Sequence, residues 1–161
     1  MEITLRPFVA GDAEAVLRVH YAAVHETGAS HYDQETRQQW SPPVGSERIA
    51  EYLRRIAAEE QVTLVALHNE AIVGFGTVVP AINELRAVYV LPSCGRRGVG
   101  SQLLRAVEQL ARNRNLNELR LDSSLNAEAF YLAQGYKSTD RRRIELRSGL
   151  SIATVQMNKA L

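Results

Sequence analysis

At 161 residues the chain has the length of one ordinary domain, enough to bury ~70% of its unfolded surface without a disulfide or metal staple. Its 19 basic and 18 acidic residues leave a formal charge of +1. That balance excludes both a globally basic polyanion binder and an acidic disordered chain, so any phosphate recognition must be local. Cys94 is the single cysteine; it can form neither an intramolecular disulfide nor a cysteine zinc cluster, and points to a reducing compartment. The first residues lack the basic, apolar and small-residue succession of a secretory leader. The longest apolar stretch, 71–82, is broken by Gly74, Gly76 and Pro80 and falls short of the ~20 residues of a membrane span. The expectation is a soluble, cytoplasmic domain over residues 1–161 with no membrane partner.

Residues 3–5 read as a short strand, and Asp12 stands where it would N-cap a helix running to about Thr27. Val16, Val19 or His20, and Ala23 give that helix its inward stripe. Residues 28–45 form the longest irregular segment, polar and carrying His31, Tyr32, Glu35, Trp40 and the pair Pro42-Pro43. Ser46 stands where it would cap a second helix, with Ile49, Leu53 and Ile56 on one face and Glu51 paired with Arg55 on another. The period then becomes strand-like over 62–67, 71–79 and 83–90, with a turn at His68-Asn69-Glu70 and a break at Pro80. Such short connections predict an antiparallel meander.

Beyond Leu91-Pro92 a glycine- and arginine-rich loop leads into a helix over 98–112, with Val99, Leu103, Ala106, Val107 and Leu110 facing inward. A strand over 118–122, a short helix over 127–133 and a hairpin of 136–147 and 150–158, turning at Ser148-Gly149, follow. The order β-α-α-β-β-β-α-β-α-β-β predicts an α/β (α+β) fold without internal repeats.

The loop Gly95-Arg96-Arg97-Gly98-Val99-Gly100-Ser101 joins a strand to an amphipathic helix, where backbone N–H groups lack intrahelical partners. Glycines let the backbone approach a ligand, the helix dipole adds ~0.3–1 kcal/mol per favourable charge, and two arginines raise the local potential. The alternative is a plain helix start with solvated arginines. Two better-known phosphate loops do not fit: Gly100-Ser101-Gln102 has no lysine for a Walker loop, and Leu103 stands where a dinucleotide fingerprint needs its third glycine.

Val88-Tyr89-Val90-Leu91-Pro92, followed by Gly95-Arg96-Arg97-Gly98-Val99-Gly100, resembles the coenzyme loop of the GNAT superfamily of N-acetyltransferases. The family usually has Gln or Arg where Gly95 stands; the side chain is lost, the amide remains, and Arg96 supplies charge. Further on, residues 119–136 resemble the family's later strand, its Asn126-Ala127 turn and its Phe130-Tyr131-x-x-x-Gly135-Tyr136 helix end. The resemblance spans 3–158, its first third by pattern only. It implies a central mixed, mostly antiparallel sheet of about seven strands with helices on both faces. It also implies acetyl-CoA as cosubstrate, an amine acceptor and no metal, with a homodimer by analogy.

Acetyl transfer to an amine needs a deprotonated nucleophile, a polarised carbonyl and a proton for the departing thiolate. An amine of pKa ~10.4 is mostly protonated at neutral pH and a thiol has pKa ~8.5, so a base or water relay is useful. The resemblance implies that the backbone of Val88, Tyr89 and Val90 pairs with the pantetheine arm and that the amides of 95–101 hold the pyrophosphate. It further implies that Asn126 bonds the arm and that Tyr131 gives a proton to the sulfur. For Asn126 a helix N-cap and for Tyr131 simple packing beside Phe130 are the structural alternatives.

Glu84 is the candidate base, on the strand leading to the loop; a surface pair with Arg86, or a water chain, competes with it. His31, Tyr32 and Trp40 are candidate acceptor-site residues in the long segment, while His20 and His25 read as structural or solvated. Arg141-Arg142-Arg143 alternates across a strand and reads as solvated rather than as a nucleic-acid site. The function expected is N-acetyl transfer to a primary amine of a small molecule, peptide or protein by direct transfer in a ternary complex. The alternative is a non-catalytic coenzyme A-binding module.

Overall fold

The computed structural model describes Met1–Leu161. Strands β1 (Thr4–Pro7), β2 (Val62–His68), β3 (Ala71–Val79), β4 (Glu84–Val90), β5 (Glu118–Ser123), β6 (Lys137–Glu145) and β7 (Ser151–Ala160) join one sheet in the order β1-β2-β3-β4-β5-β7-β6. All neighbours run antiparallel except β4 and β5, which run parallel. The helices are α1 (Ala13–Glu26), α2 (Gln34–Trp40), α3 (Ser46–Ala58), α4 (Val99–Asn113) and α5 (Glu128–Ala133). None is long and apolar enough to cross a membrane.

The sheet is covered on both faces. On one, Val16, Leu17 and Tyr52 from α1 and α3 bury Val65 and Phe75; on the other, Leu104 and Val107 from α4 and Tyr131 from α5 bury Val78, Leu121 and Val155. β3 lies between the layers and is buried along most of its length, which is why its sequence is a continuous apolar run rather than an alternating one. Its glycines bring α4 close: a Cβ on Gly76 would stand 3.1 Å from Val107, and one on Gly74 would stand 2.9 Å from the Tyr89 carbonyl oxygen and 3.0 Å from Leu103.

Local expectations are corrected at three places. The irregular segment contains α2, capped by Asp33, whose carboxylate accepts the Thr36 N–H at 2.8 Å; no residue of α2 is buried, so it carries no apolar period to read. Ser46 is the first residue of α3 and Gly45 occupies the cap position. Asp12 does not cap α1 with its side chain. Its carboxylate instead accepts two bonds from Arg6, at 2.7 and 2.9 Å, and the Val9 N–H at 2.9 Å, tying β1 to the start of α1.

Two expected outcomes follow from this packing. Gly74→Ala forces a Cβ against backbone, and an overpacked core position costs about 1–3 kcal/mol; urea unfolding reads this as a lower midpoint at unchanged slope, whereas Gly11→Ala, with nothing within 4 Å of its Cβ, stays near wild type. Hydrogen bonds from Arg6 hold the Asp12 carboxyl below the usual range against the opposing effect of burial, helped by Val9. The folded pKa therefore lies below the unfolded value of ~3.9, so the contribution is complete above about pH 4 and is lost as pH falls through the folded value. Asp12→Asn should lower stability at pH 7 and flatten the acid limb of a pH–stability curve.

Candidate active site

β4 and β5 share one register point, Glu84 opposite Arg120. There the Arg120 amide donates to the Asn83 carbonyl at 2.9 Å and its guanidinium to the Ile82 carbonyl at 3.0 Å. Beyond it the strands diverge, because β4 continues along β3 to Val90 while β5 continues along β7 to Ser123. A bulge at Arg86 sets the phase of β4: Thr77 faces Ala87 and Val78 faces Leu85, leaving Arg86 unmatched. As a result Leu85 and Val88 both turn toward α4, while Ala87 and Tyr89 turn toward α1 and α3. The Leu91 N–H donates to the Val73 carbonyl at 2.8 Å. By ladder alternation, Val88 and Val90 then direct their N–H and C=O groups into the opening.

A cleft of about 550 Å³ occupies this opening and runs to the loop before α4; Val88, Tyr89, Val90, Gly95, Arg96, Gly98, Gly100 and Ser101 border it. Arg96 and Gly98 take positive φ, 58° and 81°. None of the backbone N–H groups from Arg96 to Ser101 finds an acceptor in the chain. The Gly95 amide is different: it donates to the Pro92 carbonyl at 3.1 Å, so of the amides of 95–101 it is the one engaged within the chain. Val99 is buried beside Leu103 and Arg97 is exposed; neither borders the cleft, and each offers its backbone N–H. Successive outward N–H groups at a helix start form an anion cradle.

The far wall is the β5–α5 turn. Asn126 borders the cleft with a buried Oδ1 that has no partner. It is not a helix cap, since Ala127 occupies that position for α5 and no side chain caps it. Tyr131 is 7% exposed, packed edge-on against Phe130 and Tyr136. No group of the chain hydrogen-bonds its hydroxyl, the residue borders the same cleft, and burial pushes its pKa up. It is therefore a neutral phenol that keeps its proton at physiological pH.

A second cavity, of about 380 Å³, lies on the α1–α3 side of β4, and Trp40, Leu85, Arg86, Ala87, Tyr89 and Asp122 border both. Glu84 lines this second cavity and not the cleft, with Oε1 accepting from Arg86 Nε at 2.5 Å; Arg86 also donates to Glu59 at 2.6 Å. His20 lines it too, its ring centre 4.6 Å from that of Tyr89 and its Nδ1 2.8 Å from Ser41 Oγ. Burial, with Arg48, Arg55 and His25 nearby, pushes its pKa down to about 3, so the imidazole is neutral.

Of the three acceptor-site candidates, only Trp40 borders a cavity. His31 is exposed and bonded to Ser30 at 2.8 Å. Tyr32 is buried, its hydroxyl donating to the Ala153 carbonyl at 2.7 Å and accepting the Leu125 N–H at 3.0 Å; it ties the segment before α2 to β7 and to the β5–α5 turn. Sequence reasoning missed Arg48, Tyr52 and Arg55, which line the second cavity from α3. Their i, i+4, i+7 spacing places them on one helix face, a signal that was present but read as a local ion pair. That pair is also corrected: Glu51 binds Arg147 of the β6–β7 hairpin. The three consecutive arginines are held separately, Arg141 by Glu128, Arg142 by Asp122 and Arg143 by Ser151.

The split sheet thus has an amide cradle on one side of β4 and a second cavity on the other. Residues 28–161 match the family model of the Acetyltransferase (GNAT) domain. The chain belongs to that family. It is similar in structure to a GCN5-related N-acetyltransferase from Rhodopseudomonas palustris, with a TM-score of 0.90 and 28% identity over 100% of this chain and 97% of that one. PaiA N-acetyltransferase from Thermoplasma acidophilum, in complex with coenzyme A, superposes with a TM-score of 0.80 at 22% identity, covering 100% of both chains. Among curated proteins, aminoglycoside N(6')-acetyltransferase type 1 from Salmonella enteritidis is 23% identical over 73% of this chain and 91% of its own.

Tyr32→Phe removes a hydroxyl that serves two half-buried backbone groups, and leaving such groups unpaired costs up to about 1–3 kcal/mol. The expected outcome is a lower denaturation midpoint with faster amide exchange in residues 28–40 than in β2 or β3.

Proposed function

We propose that the chain binds acetyl-CoA in the cleft and transfers its acetyl group directly to a primary amine held in the second cavity, without an acyl-enzyme. The observation that carries this reading is the run of unpartnered amides from Arg96 to Ser101, which opens onto the same cleft as Tyr131. The buried, unpartnered Oδ1 of Asn126 fits an amide-bearing arm lying along the cleft. The coenzyme A complex of the Thermoplasma relative supports the ligand class.

Bound acetyl-CoA supplies an activated acetyl carbon: the amine nitrogen bonds to it, the carbon–sulfur bond breaks, the amine gives up a proton and the thiolate needs one. The amides of 96–101 and the Arg96 side chain bind the anionic end, and the free N–H and C=O groups of Val88 and Val90 orient the arm by strand-like pairing. Tyr131 holds a proton at its hydroxyl. An unperturbed phenol is a weaker acid than a thiol by about 1.5 units, which opposes proton transfer; the dry surroundings that raise the phenol also destabilise a thiolate, so the mismatch does not grow in proportion. For the amine proton, Glu84 lines the acceptor cavity as an acceptor tied to Arg86, and His20 is too weak a base to serve.

Calorimetry with acetyl-CoA and a thiol-release assay across amines test this reading. Tyr131→Phe should lower turnover by about 100-fold or more with coenzyme affinity unchanged, and Asn126→Ala should weaken coenzyme binding several-fold with little effect on stability. Unchanged turnover in Tyr131→Phe removes the phenol from the mechanism; tight binding without thiol release on any amine replaces the enzyme with a binding module.

A further inference from the structure

Two guanidinium groups on α3 face the second cavity without a carboxylate partner. Arg55 makes no hydrogen bond within the chain; its Nε is buried without an acceptor and its charge lies 5.7 Å from the centre of the Tyr52 ring. The acids closest along α3 are engaged elsewhere, Glu51 by Arg147 and Glu59 by Arg86. Arg48 is held by neutral groups, the Pro42 carbonyl and the Ser41 hydroxyl, the latter at 3.1 Å. Burial pushes both guanidiniums below their usual value. The remaining acids bordering the cavity do not answer them: Glu84 binds Arg86 at 2.5 Å, Asp122 binds Arg142 at 2.8 Å, and Glu145 is exposed on the hairpin.

A half-buried cation without a hydrogen-bonded counter-ion is destabilising, and the Tyr52 ring with the more distant charge of Glu59 offsets it only in part. Replacing Arg55 by an apolar residue of similar length gives up no hydrogen bond, so hydrogen bonding within the fold does not explain its retention. Around it stand Tyr52, Phe75, Tyr89 and Trp40, which suit an apolar body, and the neutral His20 adds no negative charge. The lining sets Arg48, Arg55, Arg86 and Arg147 against Glu51, Glu84, Asp122 and Glu145, but the charge left without a hydrogen-bonded partner on α3 is positive, which favours a molecule with one anionic end over a polycation.

We infer that the acceptor is a small amine that also carries a carboxylate, an amino acid or a close analogue, and that Arg55 is the specificity-determining residue that receives the carboxylate. This rests on the acetyl-transfer reading. Arg48 keeps the local potential positive from two turns away, while its bonds to 41 and 42 fix the edge of the cavity. An aminoglycoside, the acceptor in the name of the curated relative, has the opposite charge and does not suit this cavity.

The full-length protein with acetyl-CoA would be assayed for thiol release on matched triplets: a free amino acid, its amide and the corresponding decarboxylated amine, with an aminoglycoside beside them. The acid should exceed its amide and amine in kcat/KM by at least about tenfold, and Arg55→Met should abolish that margin through KM. Arg55→Lys should restore part of it, and Arg55→Met should melt no lower than wild type. Trp40 is the only tryptophan and borders the cavity, so its fluorescence in the coenzyme-loaded protein reads acceptor binding independently of turnover. A fluorescence change at lower concentration for the acid than for its amide, lost in Arg55→Met, supports the inference even where turnover is absent. Equal response to acid and amide, a better response to the decarboxylated amine or the aminoglycoside, or no response to any of them overturns it. Failure of acetyl-CoA binding in calorimetry instead overturns the acetyl-transfer reading.

Discussion

The constraint on which the rest depends is the single register point between β4 and β5. Two parallel strands normally continue side by side, but here each is claimed by an antiparallel neighbour, β3 on one side and β7 on the other. The Arg120 bonds to residues 82 and 83 close one end, and the sheet must open at the other. An open sheet exposes a row of polar backbone groups. In this protein the opened edge borders the cleft, and the polar groups that a closed sheet would have paired are left facing it.

Holding β4 in that position requires α4 to approach β3 closely, and this is where Gly74 and Gly76 act. Each lies within about van der Waals contact of an α4 side chain, Leu103 or Val107, so the helix whose first turn forms the anion cradle is fixed by a core contact two turns or less away. Val99 at its start is fully buried. The cradle is thus rigid because its helix is anchored in the core, and its glycines are confined to the residues where φ is positive or a ring stands close, as Phe130 does to Gly100. A preorganised donor array loses little freedom when an anion arrives.

How far the sequence revealed this depends on whether the determinant is local. The loop is legible because glycines and arginines between a strand and an amphipathic helix imply an anion-facing helix start, Asn126 and Tyr131 are legible only through the family resemblance of residues 119–136, and the order of strands and helices follows from period changes. The phase of β4 is not legible, since the bulge at Arg86 exists only when β3 pairs with it. Nor is α2, which buries no residue and is defined by the Asp33 cap. The partner of Glu51 was misread because Arg147 is distant in sequence and the i, i+4 rule supplied a nearer answer in Arg55. Tyr32 was read as an acceptor-site residue from its segment; its two backbone partners, residues 125 and 153, lie far along the chain.

That misreading matters, because freeing Arg55 from Glu51 changes what the second cavity is. Four buried side-chain atoms lack partners, Tyr52 Oη, Arg55 Nε, Asn126 Oδ1 and Tyr136 Oη, and three of their four residues border one of the two cavities. Each such atom costs on the order of 1–3 kcal/mol. A chain folding for stability alone would scatter or remove them; here they line the route from the amide cradle across β4 to α3. The unsatisfied groups on the cradle side suit a ligand with anionic and amide character, and those on α3 suit a carboxylate. The groups the fold leaves unpaired thus differ between the two cavities, with Leu85, Ala87 and Tyr89 and the paired charges of Arg86 and Asp122 between them.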